Sequence, residues 1–225
     1  MENGRSLDPD SARFQRLAGT ARILFIYKDM PFRSRLGVRN NVHEIKENNM
    51  AIREIVRLGN PSLRERSTEL HQHEFNSPWL MELIKDLWNS MEHYGGVGIA
   101  APQIGVNRRV CVFGFEKSAR YPQAEPVPYT ILCNPEIVIL DNEPVGFHEG
   151  CLSVDDLRGL VMRPRKIIYR GVDQFGTMIE RTVSDFHARL VLHEIDHLDG
   201  TVFVDRVNDT HTLGFRDELI KYILT

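Results

Sequence analysis

The chain has 225 residues, 42% of them apolar and 26% charged, enough to bury a sizeable core and most simply arranged as one domain with an appendage. Its formal charge of -3 conceals an asymmetry, with nine Lys/Arg against six Asp/Glu in residues 1 to 50 and 19 against 25 in residues 51 to 225. A mildly acidic body lacks the basic footprint of a protein that reads nucleic acid through phosphate contacts.

Residues 1 to 49 show neither a sustained helical period nor clean alternation, and are expected to form an N-terminal appendage. Their one apolar patch, Ile23 to Tyr27, is too short for a membrane span or a secretory apolar region, so neither membrane insertion nor export is expected. The stretch is Arg-rich, but Glu2, Asp8, Asp10 and Asp29 contradict the acid-poor composition of a transit peptide. Met50 is an alternative start, because Ala51 to Val56 opens an ordered-looking segment. The catalytic domain is accordingly expected over residues 50–225.

Ser77 is a candidate N-cap, Pro78 suits the first helical position, and Leu80, Leu83, Ile84, Leu87 and Met91 recur on one face, with Gly95 as the stop. Beyond it, Gly96-Val97-Gly98-Ile99-Ala100-Ala101-Pro102-Gln103 is rich in small residues that let a substrate backbone approach, and Gln103 offers an amide donor to a developing oxyanion. Short β-rich pieces follow at Arg109 to Phe115, Tyr129 to Cys133, Glu136 to Leu140 and Lys166 to Val172, separated by Gly, Pro, Asn and Asp. A second helix is expected to open near Ser184, with Asp185 in its first turn, and to run to about Leu198 before Gly200. A short terminal helix is expected from about Leu213 to Ile223. The layout is α+β, with mixed or antiparallel sheets packed around a central metal-binding helix.

That second helix carries His193-Glu194-Ile195-Asp196-His197. Residues four apart differ by about 400° around a helix, so both imidazoles lie on one face within reach of one ion, and Glu194 sits about 100° away. A carboxylate so placed can take a proton from an attacking water and later deliver it to a leaving amine. A bare solvated helix would account for the same five residues, so the third ligand decides the matter. The extended zinc-peptidase pattern needs a His at position 203, where this chain has Phe203, and the other downstream candidate, Glu218, lies near the chain end.

Cys151, inside Glu149-Gly150-Cys151-Leu152-Ser153, is the better third ligand, since a thiolate is a strong donor to Fe(II), Zn(II), Co(II) or Ni(II). Two His and one Cys leave a tetrahedral ion one open position, as a catalytic site requires. Cys111 and Cys133 lack such neighbours and read as core residues, and three unevenly spaced cysteines fit a reducing compartment rather than a disulfide framework.

Together the three segments resemble the peptide deformylases, whose pattern runs Gly-x-Gly-hydrophobic-Ala-Ala-x-Gln, Glu-Gly-Cys-hydrophobic-Ser, then His-Glu-x-x-His. The resemblance covers roughly residues 51 to 207. It implies a metal-dependent amidase that removes the formyl group from the N-terminal formyl-methionine of new polypeptides and releases formate. One divalent ion per chain, natively Fe(II), would be held by Cys151, His193 and His197. Glu194 would be the general acid/base, with Gln103 and the Leu152 N–H polarising the formyl oxygen. Val97 and Gly98 would border the peptide, Val97, Phe186 and Leu190 would line a slot for the methionine side chain, and Glu149 and Arg158 would stand on the substrate side. The implied partners are formyl-methionyl nascent peptides, with a transient ribosome contact, no nucleic-acid readout and no membrane, in a bacterial cytoplasm ahead of an organelle. Leu192 stands where many members have Gln, and Asp155 where many have Pro. A zinc peptidase and a non-enzymatic metal-binding or ribosome-associated module are the competing classes.

Overall fold

The computed structural model describes residues 51–222; the expected appendage and the alternative start at Met50 lie outside the described residues. Helix α1 (Pro78–His93) begins as its sequence dictates: the Ser77 hydroxyl accepts from Leu80 N at 3.2 Å, and Pro78 occupies the first turn, where a missing N–H costs nothing. Leu80, Leu83, Ile84, Leu87 and Met91 are all buried. Each such side chain contributes about 1.5–3 kcal/mol through removal from water. The helix stops two residues before Gly95, whose φ of +63° turns the chain away.

The chain then lays down β1 (Gly98–Ala100), β2 (Val110–Phe115), β3 (Val127–Gly150), β4 (Leu157–Val172) and β5 (Met178–Ser184), hydrogen-bonded in that order and antiparallel throughout. A short β6 (Gly214–Phe215) pairs with β4. All six residues of β2 are buried, which matches its unbroken apolar run. Tyr129 to Cys133 and Glu136 to Leu140, expected as separate strands, belong to one long β3. Register shifts between Cys133 and Glu136 and between Ile139 and Pro144 accommodate Pro135 and Pro144 within it. Lys166 to Val172 is the far half of β4. Strand β5 carried no clear signal because Glu180 and Arg181 interrupt its apolar residues, while β1 is three small or aliphatic residues long.

Helix α2 (Asp185–Leu198) follows β5 and packs on the sheet, where Ala188, Val191, Ile195 and Leu198 join Ala100, Cys111, Phe113, Leu132, Ile167 and Tyr169 in the main core. Ser184 stands at its N-cap position, but its hydroxyl donates to Asp185 Oδ2 (2.7 Å) rather than capping the helix. Past its end, Gly200 has a φ of +73°, and a Cβ there would lie 2.6 Å from the Arg64 carbonyl oxygen. A smaller core of Leu63, Cys151, Val154, Val161, Val202 and Phe203 lies under the other end of the site. The terminal helix α3 (Arg216–Tyr222) is shorter than expected because Gly214 and Phe215 are taken up by β6. Among the described residues no helix is long and apolar enough to cross a membrane.

Candidate active site

The helical spacing of His193 and His197 puts their ring centroids 5.2 Å apart on α2. Cys151 comes from the end of β3, where the chain leaves Gly150 and turns through the short helical segment Leu152–Val154. Cys151 Sγ lies 3.1 Å from His197 Nε2, and the three potential ligand atoms of Cys151, His193 and His197 are all within 4.8 Å of one another. The donors suit a divalent transition metal in chemistry as well as in convergence. His193 Nδ1 is engaged by Glu149 Oε2 at 3.0 Å, which leaves Nε2 as its open nitrogen. Burial would push the Cys151 thiol up, but the facing imidazoles of His197 and His193 hold it well below the ordinary thiol range. Burial pushes the other two thiols up, Cys133 to about 12, so they remain core residues.

The Glu149 carboxylate is fully engaged. Oε1 accepts from Arg163 Nε and Arg189 Nη1, both at 2.6 Å, and Oε2 accepts from Arg163 Nη2 at 2.9 Å as well as from His193. Burial alone would raise its pKa; Arg163 and His193 hold it far below the usual carboxylate range. Arg163 also donates to Asp196 Oδ2 at 2.8 Å, and Arg206 donates to Asp196 Oδ1 at 2.7 Å. Asp196, one of the two inner positions of the His-Glu motif, thus anchors the helix to β4.

Gln103 is buried in the segment Ala101–Ile104, and its Oε1 accepts from Ala100 N at 2.9 Å. This fixes the amide so that Nε2 faces Cys151 Sγ (3.4 Å) and Ser153 Oγ (3.3 Å). Leu152 is the first residue of its helical turn, a position whose N–H has no partner inside the turn. Glu194 is 2% exposed, and its Oε2 has no hydrogen-bond partner among the described residues. Burial pushes its carboxyl up to about 7. A Cβ on Gly98 would lie 2.3 Å from Glu194 Oε1, so the glycine makes room for that carboxylate.

One cavity brings together Val97, Gly98, Gln103, Glu149, Cys151, Leu152, Phe186, Leu190, His193 and Glu194. His197 is buried behind it. Arg158 is not among the lining residues. Its guanidinium fills the space behind Gly150, where Nη1 donates to the Asp155 and Leu157 carbonyls at 3.2 and 2.8 Å. Sequence reasoning missed Arg120, Tyr121, Phe147 and Arg189 in the wall, and Arg163 behind it. Phe147 was legible in principle, since it shares a strand face with Glu149, and so was Arg189, one helical turn before His193; Arg163 was not, because the β3–β4 register brings it to Glu149, and Arg120 lies in a connection with no periodic signal.

The rival third ligands fail structurally. The Phe203 ring stacks on His193 with centroids 6.5 Å apart, and Glu218 is exposed on α3 and outside the ligand group. Asp155 takes a φ of +50°, closed to the proline that many deformylases carry there, and Leu192 packs against the main core.

The polypeptide deformylase family model matches residues 52–212. Peptide deformylase 2 of Pseudomonas putida is 44% identical over 168 residues, covering 75% of this chain and 94% of that protein. Peptide deformylase 1 of Bordetella pertussis is 46% identical over 168 residues, with the same coverage of 75% and 94%. Among solved structures, the Met-Ala-Ser-bound class I type b peptide deformylase of Acinetobacter baumannii superposes with a TM-score of 0.68 at 35% identity, over 70% of this chain and 99% of that one. This chain therefore belongs to the polypeptide deformylase family.

Proposed function

We propose that this chain removes the formyl group from the N-terminal formyl-methionine of new polypeptides, releasing formate and a free amine. The reading is carried by the convergence of the Cys151, His193 and His197 donors with the Glu194 carboxylate and the Gln103 amide at one buried cavity. A divalent ion held by those three side chains would supply Lewis acidity toward the formyl oxygen and the attacking water.

Glu194 takes a proton from the water as its oxygen bonds to the formyl carbon. As the C–N bond breaks, Glu194 returns that proton to the departing nitrogen. Gln103 Nε2 and the Leu152 N–H donate to the oxyanion of the tetrahedral intermediate. The peptide runs in extended form beside Val97 and Gly98, and its methionine side chain enters the slot of Val97, Phe186 and Leu190, with Phe147 as a further wall. The Met-Ala-Ser complex of the Acinetobacter relative supports such a ligand. Glu149 is assigned to orienting His193, its oxygens being taken by Arg163, Arg189 and that ring. Arg158, expected on the substrate side, packs behind Gly150 outside the cavity lining and is assigned to holding that turn through the Asp155 and Leu157 carbonyls.

The proposed native ion is Fe(II), with Zn(II), Ni(II) or Co(II) able to replace it on the same thiolate and imidazole donors. Residues 50–225 are the proposed catalytic domain, working in a bacterial cytoplasm on nascent chains during transient contact with the ribosome; the relatives named above are bacterial.

The test is formate release from a formyl-Met peptide by anaerobically purified protein, with metal content read on the same sample and an acetyl-Met peptide as control. Formate with about one metal per chain is expected. Glu194→Gln should keep the metal and lose about 10²- to 10⁴-fold in turnover; near wild-type turnover would sink the assigned role. Metal-loaded protein that releases no formate yet cuts unblocked peptides would establish a peptidase instead.

A further inference from the structure

Residues 116–126 connect β2 to β3 and return to the catalytic cavity. The Tyr121 ring packs on Phe186 with centroids 4.8 Å apart and on Phe147 at 6.1 Å. The backbone nitrogens of Arg120 and Tyr121 both donate to Ser118 Oγ, at 3.2 and 3.3 Å. These contacts pin the connection to the cavity wall and leave Arg120 lining the same cavity as Cys151 and Glu194.

Arg163 and Arg189, deeper in the protein, are ion-paired, both with Glu149 and Arg163 also with Asp196. Arg120 differs: among the described residues its guanidinium has no carboxylate within ion-pair distance. Its charged surroundings include further cations, since Arg158 is pushed down by burial and then by the charges of Arg120 and Arg216. The nearby carboxylate of Asp156 is largely exposed and stands 3.8 Å from Arg158 Nη2. The cavity therefore opens past a cation that no described carboxylate compensates. An uncompensated charge at the rim of a low-dielectric cleft focuses its field on whatever group enters there.

We propose that Arg120 is a specificity-determining residue that makes this enzyme prefer formyl-methionyl peptides carrying an acidic side chain close behind the methionine. The inference rests on the deformylase reading and deepens it. A carboxylate on the second or third residue of the substrate completes an ion pair that Arg120 lacks among the described residues. The neutral amide isostere gains no such pair.

The same carboxylate chemistry is offered by the free C-terminus of a short peptide, so the two sources are measured separately. The metal-loaded full chain is assayed with C-terminally amidated formyl-Met-Glu-Ser and formyl-Met-Gln-Ser, with formyl-Met-Ala-Glu and formyl-Met-Ala-Gln amides, and with formyl-Met-Gln-Ser bearing a free C-terminus. In at least one pair the acidic peptide should be favoured about three- to tenfold in kcat/KM. The gain should lie in KM and shrink as salt is raised. Arg120→Ala should bring that ratio close to one, Arg120→Glu should invert it, and Arg120→Lys should retain most of it. Each ratio is internal to one protein, so a general loss of folded enzyme cancels. A wild-type ratio of one in both pairs, or a preference that survives Arg120→Ala, overturns the proposal. So does a gain confined to formyl-Met-Gln-Ser with a free C-terminus. Absence of formate from every peptide overturns the deformylase reading instead. The same pairs would then be compared by calorimetry, where a binding ratio of one, or one unmoved by Arg120→Ala, overturns the role of Arg120.

Discussion

At the scale of single residues, the site depends on a few atoms that leave each other no slack. Gly98 is one of them, because the space a side chain would need is already filled by Glu194. Gly98→Ala should push that carboxylate out of line and lower kcat/KM by about a hundredfold while metal content stays near one per chain, read by formate release and metal analysis. Glu149 is another. It pairs with two buried guanidinium groups and fixes His193, so Glu149→Gln should leave Arg189 without a carboxylate among the described residues and Arg163 with Asp196 alone. The expected cost is about 3–5 kcal/mol in denaturant unfolding. A loss of about 10- to 100-fold in metal affinity should accompany it as His193 loses its orienting acceptor, checked by competition with a chelator. The candidate ligand residues were legible in the sequence, since the His-x-x-x-His spacing fixes two imidazoles on one helical face. The role of Glu149 was not, because two of its three partners come from β4 and from a position on α2 one turn before His193.

At the scale of elements, local chemistry set the helices and tertiary pairing set the strands. Helix α1 starts and stops where a capping serine, a first-turn proline and a glycine predict, so Ser77→Ala should cost about 1 kcal/mol in thermal or denaturant unfolding with little effect on turnover. Helix α2 spans the expected residues for a different reason. Its nominal cap does not cap, and the helix is held by the burial of Ala188, Val191, Ile195 and Leu198 and by Asp196 through Arg163 and Arg206. Strands β1 and β5 and the near halves of the β3–β4 ribbon left weak signals. Their pairing satisfies backbone groups across distant parts of the chain, and no local periodicity records that.

At the scale of the whole molecule, the sheet carries on one face the helix that bears two of the three candidate metal donors, and burial there has a pH consequence. His187 lies on α2 against Phe113 and Tyr169, and burial, helped by the Arg181 charge, pulls its pKa down to about 4. Its folded-state value is below the unfolded one, so the neutral ring's contribution is complete above about pH 6.5 and is lost as pH falls toward 4, where the unfolded chain binds the proton more readily. Discounted for partial access to water, the loss is on the order of 1–2 kcal/mol. His187→Leu should flatten that part of the stability profile in denaturant titrations between pH 7 and 4; an unchanged slope would assign the acid sensitivity to other groups. The sequence by itself determined the α+β class, the two main helices and the Cys/His/His candidate donor set that the structure brings together, because those follow from spacing along a helix and from the donor chemistry of Cys and His. Only the tertiary structure decided that Glu149 serves His193, that Arg158 lies behind Gly150 and that Arg120 reaches the cavity. Each of these depends on which strands pair and in what register, and that is a property of the assembled sheet.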